Sequence, residues 1–498
     1  MKTDICLILE GTYPYVHGGV SSWIQKIVTS LSDLTFSIVH LSSTGDVMRP
    51  PQYKIPSNIL EFKEVFIHDF HDDKTKTAGN KKEGWKALAQ FYRDLENDDF
   101  SNLKYFYDQI VDKKTRSLNI HDLVFSRQSW DKAVELYNNL SPDVSFVDFY
   151  WTMRFIHIPI LNLFNIDIPD ARVYHTVCTG YAGLLSVIAK ISKNAPMLLT
   201  EHGIYTYERK IDISRSTWIY SEADQVMRAT RSLGFFKDIW IKKFEILSKL
   251  TYQYADKIIT LFEGNRHMQI EGGAKASKIE IIPNGVDFPE NLEVKAARPR
   301  KSKAIGFVGR VVSIKDIKVF IRAMKIVKEK IDDVAVYIMG SQDEDPRYTE
   351  ECKTLAGMLQ LENNIIFTGV VDVKDYYPLL DVMVLTSVSE AQPLSVLEAM
   401  SHGVPIVATD VGSCKELIVG SNFEDQSLGR AGIITNVGSP QDTAIAILTI
   451  LADDKLKKKM SDTGIKRIEK YYNADTMVNS YRELYDSFLE KCLLETKG

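Results

Sequence analysis

Cysteine is scarce and scattered. There are five, Cys6, Cys178, Cys352, Cys414 and Cys492, odd in number and without C-x-x-C spacing. That excludes a disulfide framework, speaks against a zinc site, and fits reduced thiols in a cytoplasmic protein. Long hydrophobic runs are missing too. The N-terminal stretch Ile5–Leu9 is too short for a signal-peptide core, and elsewhere apolar runs are broken by charges or prolines. No leader and no membrane span is expected; peripheral attachment at the inner face of the plasma membrane stays open. Charge of one sign is also missing. The 61 basic and 66 acidic side chains leave a formal net charge of -5. A nucleic-acid partner, which needs a strongly basic face, is not expected. The G-x-G-x-x-G fingerprint is absent from the glycine loop at Gly18-Gly19, which disfavours a nicotinamide dehydrogenase.

What is present is an ordinary globular composition, 45% hydrophobic and 26% charged, over 498 residues. That length is too great for one core and predicts two domains. Short β-branched runs alternate with amphipathic stretches, the pattern of βαβ units and parallel sheets. Strands are predicted at Asp4–Leu9, Thr35–His40, Arg172–Thr176, Met197–Glu201, Lys257–Leu261 and Glu280–Ile282. A polar, aromatic-dotted stretch of helical spacing over about 72–140 reads as an insertion in the first domain. The polar, basic segment Asn291–Lys303 is the linker candidate. Beyond it, strands are predicted at Ala304–Val308, Ala335–Met339, Ile365–Thr368, Val382–Thr386, Ile406–Ala408 and Gly432–Thr435. The expected division is a first domain over 1–290, a second over 291–473, and a helical tail over 474–498 that packs on one domain or the other. Two doubly wound sheets in series would face each other across a cleft, with ligand groups beyond the carboxyl ends of their strands.

The most informative segment is Ser387–Met400, SVSEAQPLSVLEAM. Pro393 fits the first turn of a helix. The free N–H groups of Leu394, Ser395 and Val396 would then make an anion site suited to a pyrophosphate. Glu390 lies at the mouth of that helix and Glu398 within it. Carboxylates accept hydrogen bonds from sugar hydroxyls well. After the strand Ala304–Val308 come Arg310 and then Lys315. A planar fork and a point charge at one strand end suit a diphosphate whose charge grows as it departs. Solvated glutamates and surface cations remain the plain structural alternative for each pair taken alone.

Together, Glu390 and Glu398 with seven residues between them resemble the E-x7-E motif of retaining glycosyltransferase family 4, of GT-B fold. Ala399–Ser413 (AMSHGVPIVATDVGS) and Ile282–Asp287 (IPNGVD) are similar to that family as well. Leu9–Trp23 (LEGTYPYVHGGVSSW) and Thr200–Tyr205 (TEHGIY) resemble the PelF-type glycosyltransferases of Pel exopolysaccharide synthesis. The resemblance covers essentially the whole chain. It implies two facing Rossmann-like domains, the first on the acceptor side and the second holding the nucleotide-sugar donor. It implies that Arg310 and Lys315 bind the donor phosphates, that Glu390 faces the donor sugar and that Glu398 binds ribose hydroxyls. His202 is similar to the family histidine near the reacting carbon, and Gly18-Gly19 to its glycine loop. Ala391 stands where the family often has glycine, and alanine fits only where no positive φ is needed. Tyr13, Tyr15, Trp23 and Tyr205 are candidates either for stacking on sugar or for the core.

The resemblance thus implies transfer of a hexosyl unit, with retention, from a UDP-sugar (UDP-glucose foremost) to a growing glycan. No D-x-D motif occupies the motif loops, so no metal and no cofactor besides the donor is expected. Inner-membrane polysaccharide synthase subunits are the candidate partners. Two other readings stay open: a non-catalytic nucleotide-sugar-binding scaffold of a membrane synthase, and another GT-B enzyme such as a UDP-sugar epimerase or a phosphorylase.

Overall fold

The computed structural model describes residues 2–11, 13–43, 50–69, 72, 74–140, 143–216, 234–289 and 302–495. It divides into two units. The first comprises 1–260, 266–281 and 481–498; the second comprises 261–265 and 282–480. The linker candidate lies outside the described residues except for Ser302 and Lys303.

Seven strands form the sheet of the first unit: β1 (Thr3–Glu10), β2 (Phe36–Ser42), β3 (Ile59–Phe66), β4 (Ala171–Thr176), β5 (Met197–Glu201), β6 (Lys257–Thr260) and β7 (Ile279–Ile281). Their order is β3-β2-β1-β4-β5-β6-β7, and every pairing is parallel. Strands covered on both faces read as continuous apolar runs. That is the case for β1, in which Ile5 to Leu9 are fully buried. The edge strand β3 has no counterpart in the sequence reading. Its residues ILEFKEVF mix charged and apolar side chains and are half exposed, so the apolar-run signal is lost.

The helical region before β4 runs further than the sequence suggests. Helices span Lys81–Glu96, Leu103–Phe106, Ile120–Phe125, Arg127–Leu140 and then Phe146–Leu163. The last, FVDFYWTMRFIHIPILNL, is apolar nearly all round and contains Pro159, so it offers little helical period to read. Side-chain caps set several starts. Asn80 accepts from Lys82 N–H at 2.9 Å, and Asn119 and Asp122 form a capping box.

The second unit has β8 (Lys303–Val308), β9 (Val334–Met339), β10 (Ile365–Gly369), β11 (Val382–Leu385), β12 (Ile406–Thr409) and β13 (Gly432–Thr435). The order is β10-β9-β8-β11-β12-β13, again parallel throughout. The helix Ile317–Lys328 shows how the layers seal: Ile317, Phe320, Ile321, Met324 and Val327 are buried at i, i+3, i+4 spacing against the sheet core. A buried ion pair braces the outer helices. Arg467 Nε donates to Asp425 at 2.6 Å, and its other nitrogens reach the carbonyls of Ile418 (2.8 Å) and Gly429 (2.8 Å).

The helix Ala474–Glu495 begins in the second unit and from Tyr481 belongs to the first. There Tyr481 and Tyr485 are fully buried. All five cysteines are free thiols. Among the described residues, no helix is long and apolar enough to cross a membrane.

Each sheet reverses its strand order once, between β1 and β4 and between β8 and β11. Doubly wound sheets bind ligands outside the carboxyl ends of strands at such switch points.

Candidate active site

At the switch point of the second unit, β8 leads into Gly309-Arg310 and a turn, Ser313–Lys315, while β11 leads into Thr386–Glu390. The two loops are tied together. Thr386 Oγ1 donates to the carbonyls of Lys315 (3.0 Å) and Asp316 (3.1 Å), and Val388 N–H donates to the Ile314 carbonyl at 2.9 Å. Lys315 Nζ then meets Glu390 Oε1 at 2.5 Å, with side chains only 17% and 12% exposed. Ser387 Oγ donates to the same oxygen at 2.5 Å. The loop after β12 closes on this from the other side. A Cβ at Gly412 (φ 53°) would lie 2.2 Å from the Glu390 carbonyl oxygen, so only glycine permits the approach. Ser413 N–H completes it with a bond to the Ala391 carbonyl at 2.8 Å. Ala391 itself is not among the residues of positive φ, so alanine is accommodated there without strain.

Pro393 is not inside the first turn, as the sequence suggested. With φ -72° and ψ 114° it is extended and forms the N-cap of the helix Leu394–Ser401. The Val396 N–H, expected to be free, donates to the Pro393 carbonyl at 3.1 Å. Among the described residues the N–H groups of Leu394 and Ser395 have no hydrogen bond, and these two are left to meet an anion. One turn on, Glu398 accepts from the buried Tyr377 hydroxyl at 2.9 Å. Burial raises its pKa, and the Tyr377 hydrogen bond opposes the rise.

Arg310 and Lys315 are held by different carboxylates. Arg310 Nη1 donates to both carboxylate oxygens of Glu344, at 2.5 and 2.6 Å, both side chains being about half exposed. Glu344 escaped the sequence reading. Its signal was the acidic run Asp343-Glu344-Asp345 after β9. A close approach seats that loop: a Cβ at Gly340 (φ 148°) would stand 2.1 Å from the Gly309 carbonyl oxygen.

In the first unit, His202 follows β5 and is buried, its ring 5.0 Å from Trp23 and edge-on to it. Burial lowers its pKa to about 4, so at neutral pH it is an uncharged imidazole. Beside it, His175 bridges Tyr485 (2.8 Å) and Thr200 (2.9 Å), and burial lowers its pKa to about 3. Gly18 caps the helix Gly19–Ser30 with extended backbone (φ 172°), and an added Cβ would meet open space. The fold itself makes no demand for glycine at Gly18. Tyr13, Trp23 and Tyr205 are core residues, and Tyr15 is half-buried.

Glu10 is the residue of this end that sequence reasoning missed. It closes β1 and accepts from the N–H groups of Tyr181 (2.9 Å) and Ala182 (3.3 Å), at the start of the helix Tyr181–Lys193, and from the Tyr205 hydroxyl (2.6 Å). Its one signal was a carboxylate ending an otherwise apolar strand. Among the described residues, no cluster of three or more His, Cys, Asp and Glu side chains is placed to hold a metal ion.

Two parallel, doubly wound units in series, the second with cations and carboxylates at its switch point, are the GT-B class of glycosyltransferase folds. The chain belongs to the family described as "Domain of unknown function (DUF3492)", which matches residues 3–277, more than half its length, and residues 302–453 match "Glycosyl transferases group 1". The capsular polysaccharide biosynthesis glycosyltransferase CapM of Staphylococcus aureus is 24% identical over 258 residues, 49% of this chain and 65% of CapM. Against two further curated relatives the match spans about half of their length, 54% and 52%. Among solved structures, sucrose-phosphate synthase from Thermosynechococcus elongatus superposes with a TM-score of 0.61 at 14% identity, over 98% of this chain and all (100%) of that one. Anabaena Alr3699/HepE in complex with UDP-glucose gives 0.56 at 14% identity, over 97% and 100%.

Proposed function

We propose that this protein is a retaining glycosyltransferase that moves a hexosyl unit from a UDP-sugar, UDP-glucose foremost, to a growing exopolysaccharide of the Pel type. The observation that carries the reading is the Lys315–Glu390 pair at the switch point, beside the free N–H groups of Leu394 and Ser395. A relative that makes capsular polysaccharide and a fold neighbour solved with UDP-glucose support the substrate class.

In this reading the donor diphosphate takes over the Lys315 ammonium and the two N–H groups, and Glu390 turns to the donor sugar. Arg310 leaves Glu344 to meet the phosphates. Glu398 accepts from the ribose hydroxyls, and Gly18-Gly19 lets backbone approach the donor. His202, neutral by burial, hydrogen-bonds near the reacting carbon instead of donating charge. The C1–O bond to the β-phosphate breaks with oxocarbenium character. The acceptor oxygen attacks from the same face, and its proton passes to the departing phosphate oxygen, releasing UDP. Stabilising that leaving group is the main catalytic contribution. The cations are side chains, so no metal is required. The place of action is the cytoplasm, with synthase subunits at the inner membrane face as partners.

The test is UDP release and calorimetry with a panel of UDP-sugars, with and without EDTA. Glu390→Ala is expected to lower turnover about 10²–10³-fold, the scale for losing one preorganised electrostatic contact, while donor binding persists. Unchanged turnover would sink the role of Glu390, and loss of all activity in EDTA would sink the metal-free mechanism.

A further inference from the structure

Helices of the first unit enclose a cavity of about 350 Å³. Leu88, Phe106, Ile160, Ile188 and Ile246 line it from five different helical segments. An apolar cavity of about 150 Å³ already holds a benzene ring, so this one has room for something longer. The one buried lysine on its wall is already engaged within the fold. Lys243 Nζ donates to the Tyr181 hydroxyl at 2.7 Å and lies 3.8 Å from the Trp240 ring centre. The rest of the lining is almost wholly apolar, so a polar group placed deep inside finds few partners. Tyr92 and Lys242 line the cavity and also reach solvent. The wall helix Phe146–Leu163 turns Met153, Ile156 and Ile160 inward, yet leaves Val147, Trp151 and Phe155 exposed by 62%, 60% and 47%. A helix apolar on both faces suits contact with lipid as well as with a core.

We propose that this cavity binds the aliphatic chain of a lipid-like amphiphile, whose polar head stays in water beside Tyr92 and Lys242. Its lining residues differ from those at the strand ends described above and meet them only where Lys243 reaches the Tyr181 hydroxyl, and its test is independent of the donor.

The experiment titrates the full chain by calorimetry with straight-chain carboxylates from octanoate to hexadecanoate, and with dodecanol as a neutral arm. One site is expected. Its affinity should rise roughly fourfold per added methylene until the cavity is full, the ratio set by burying one CH₂. Ile160→Trp and Leu88→Trp fill the cavity from different walls and should each weaken dodecanoate at least tenfold. An affinity independent of chain length, or folded tryptophan variants that bind as the parent does, would overturn the proposal. If neither variant folds, the chain-length series decides alone. Co-sedimentation with phosphatidylglycerol vesicles separates the sources. Vesicle binding lost in Ile160→Trp points to a bilayer lipid, and binding of free chains only points to a soluble amphiphile.

Discussion

The two switch points are built alike and furnished oppositely. Beyond β8 and β11 the polar groups are charged and within reach of water: Lys315 on Glu390, Arg310 on Glu344. At the ends of β1, β4 and β5 they are half-buried or buried and shared among many partners: Glu10, half-buried, accepts from Tyr181, Ala182 and Tyr205, and burial keeps His175 and His202 neutral. The difference teaches what each end can do. A cation that exchanges one carboxylate for another anion needs only a modest electrostatic trade. A desolvated imidazole cannot take up charge cheaply, so it serves by hydrogen bonding and shape.

The largest expected effect breaks the contrast from within the second unit, where one charge pair is fully buried. Asp425→Ala strands the Arg467 guanidinium and should destabilise the protein by about 3–5 kcal/mol, read by urea melts. An effect as small as that of a surface pair would show that the carbonyls around Arg467 suffice. Next comes pH. The depressed pKa values of His202 (about 4) and His175 (about 3), against an ordinary 6.5, mean that the unfolded chain takes protons which the folded one refuses. Stability from these groups is complete above about pH 6.5 and is lost as pH falls towards 4. Between pH 6.5 and 5.5 each histidine should remove roughly 1.4 kcal/mol. A flat stability curve there would remove the idea of a neutral first-unit end. The smallest effect is at the exposed pair. Arg310→Ala should change stability by less than about 1 kcal/mol, while raising the KM for the UDP-sugar. A stability loss above that would make Arg310 structural and blunt the comparison.

Much of the fold is legible in the sequence because a strand buried on both faces has no polar alternative. In the second unit the wholly buried β9, β11 and β12 read that way, and the apolar runs of β8, β10 and β13 are legible as well. The charged edge strand β3 and the apolar helix Phe146–Leu163 do not, since one lacks an apolar run and the other lacks a period. The candidate residues were legible where a motif fixes them along the chain, as with Glu390 and Glu398. Partners that arrive from distant loops, such as Glu344 on Arg310 or Glu10 on Tyr205, carry no local mark.

The sequence by itself determined the alternation of strands and helices and which loops hold cations and carboxylates, because periodicity and side-chain chemistry are local. Only the tertiary structure decided which carboxylate each cation meets, which N–H groups at Pro393 remain free, which histidines stay neutral, and that helices of the first unit enclose a cavity. Those depend on distance and desolvation between residues far apart in the chain, which no local pattern encodes.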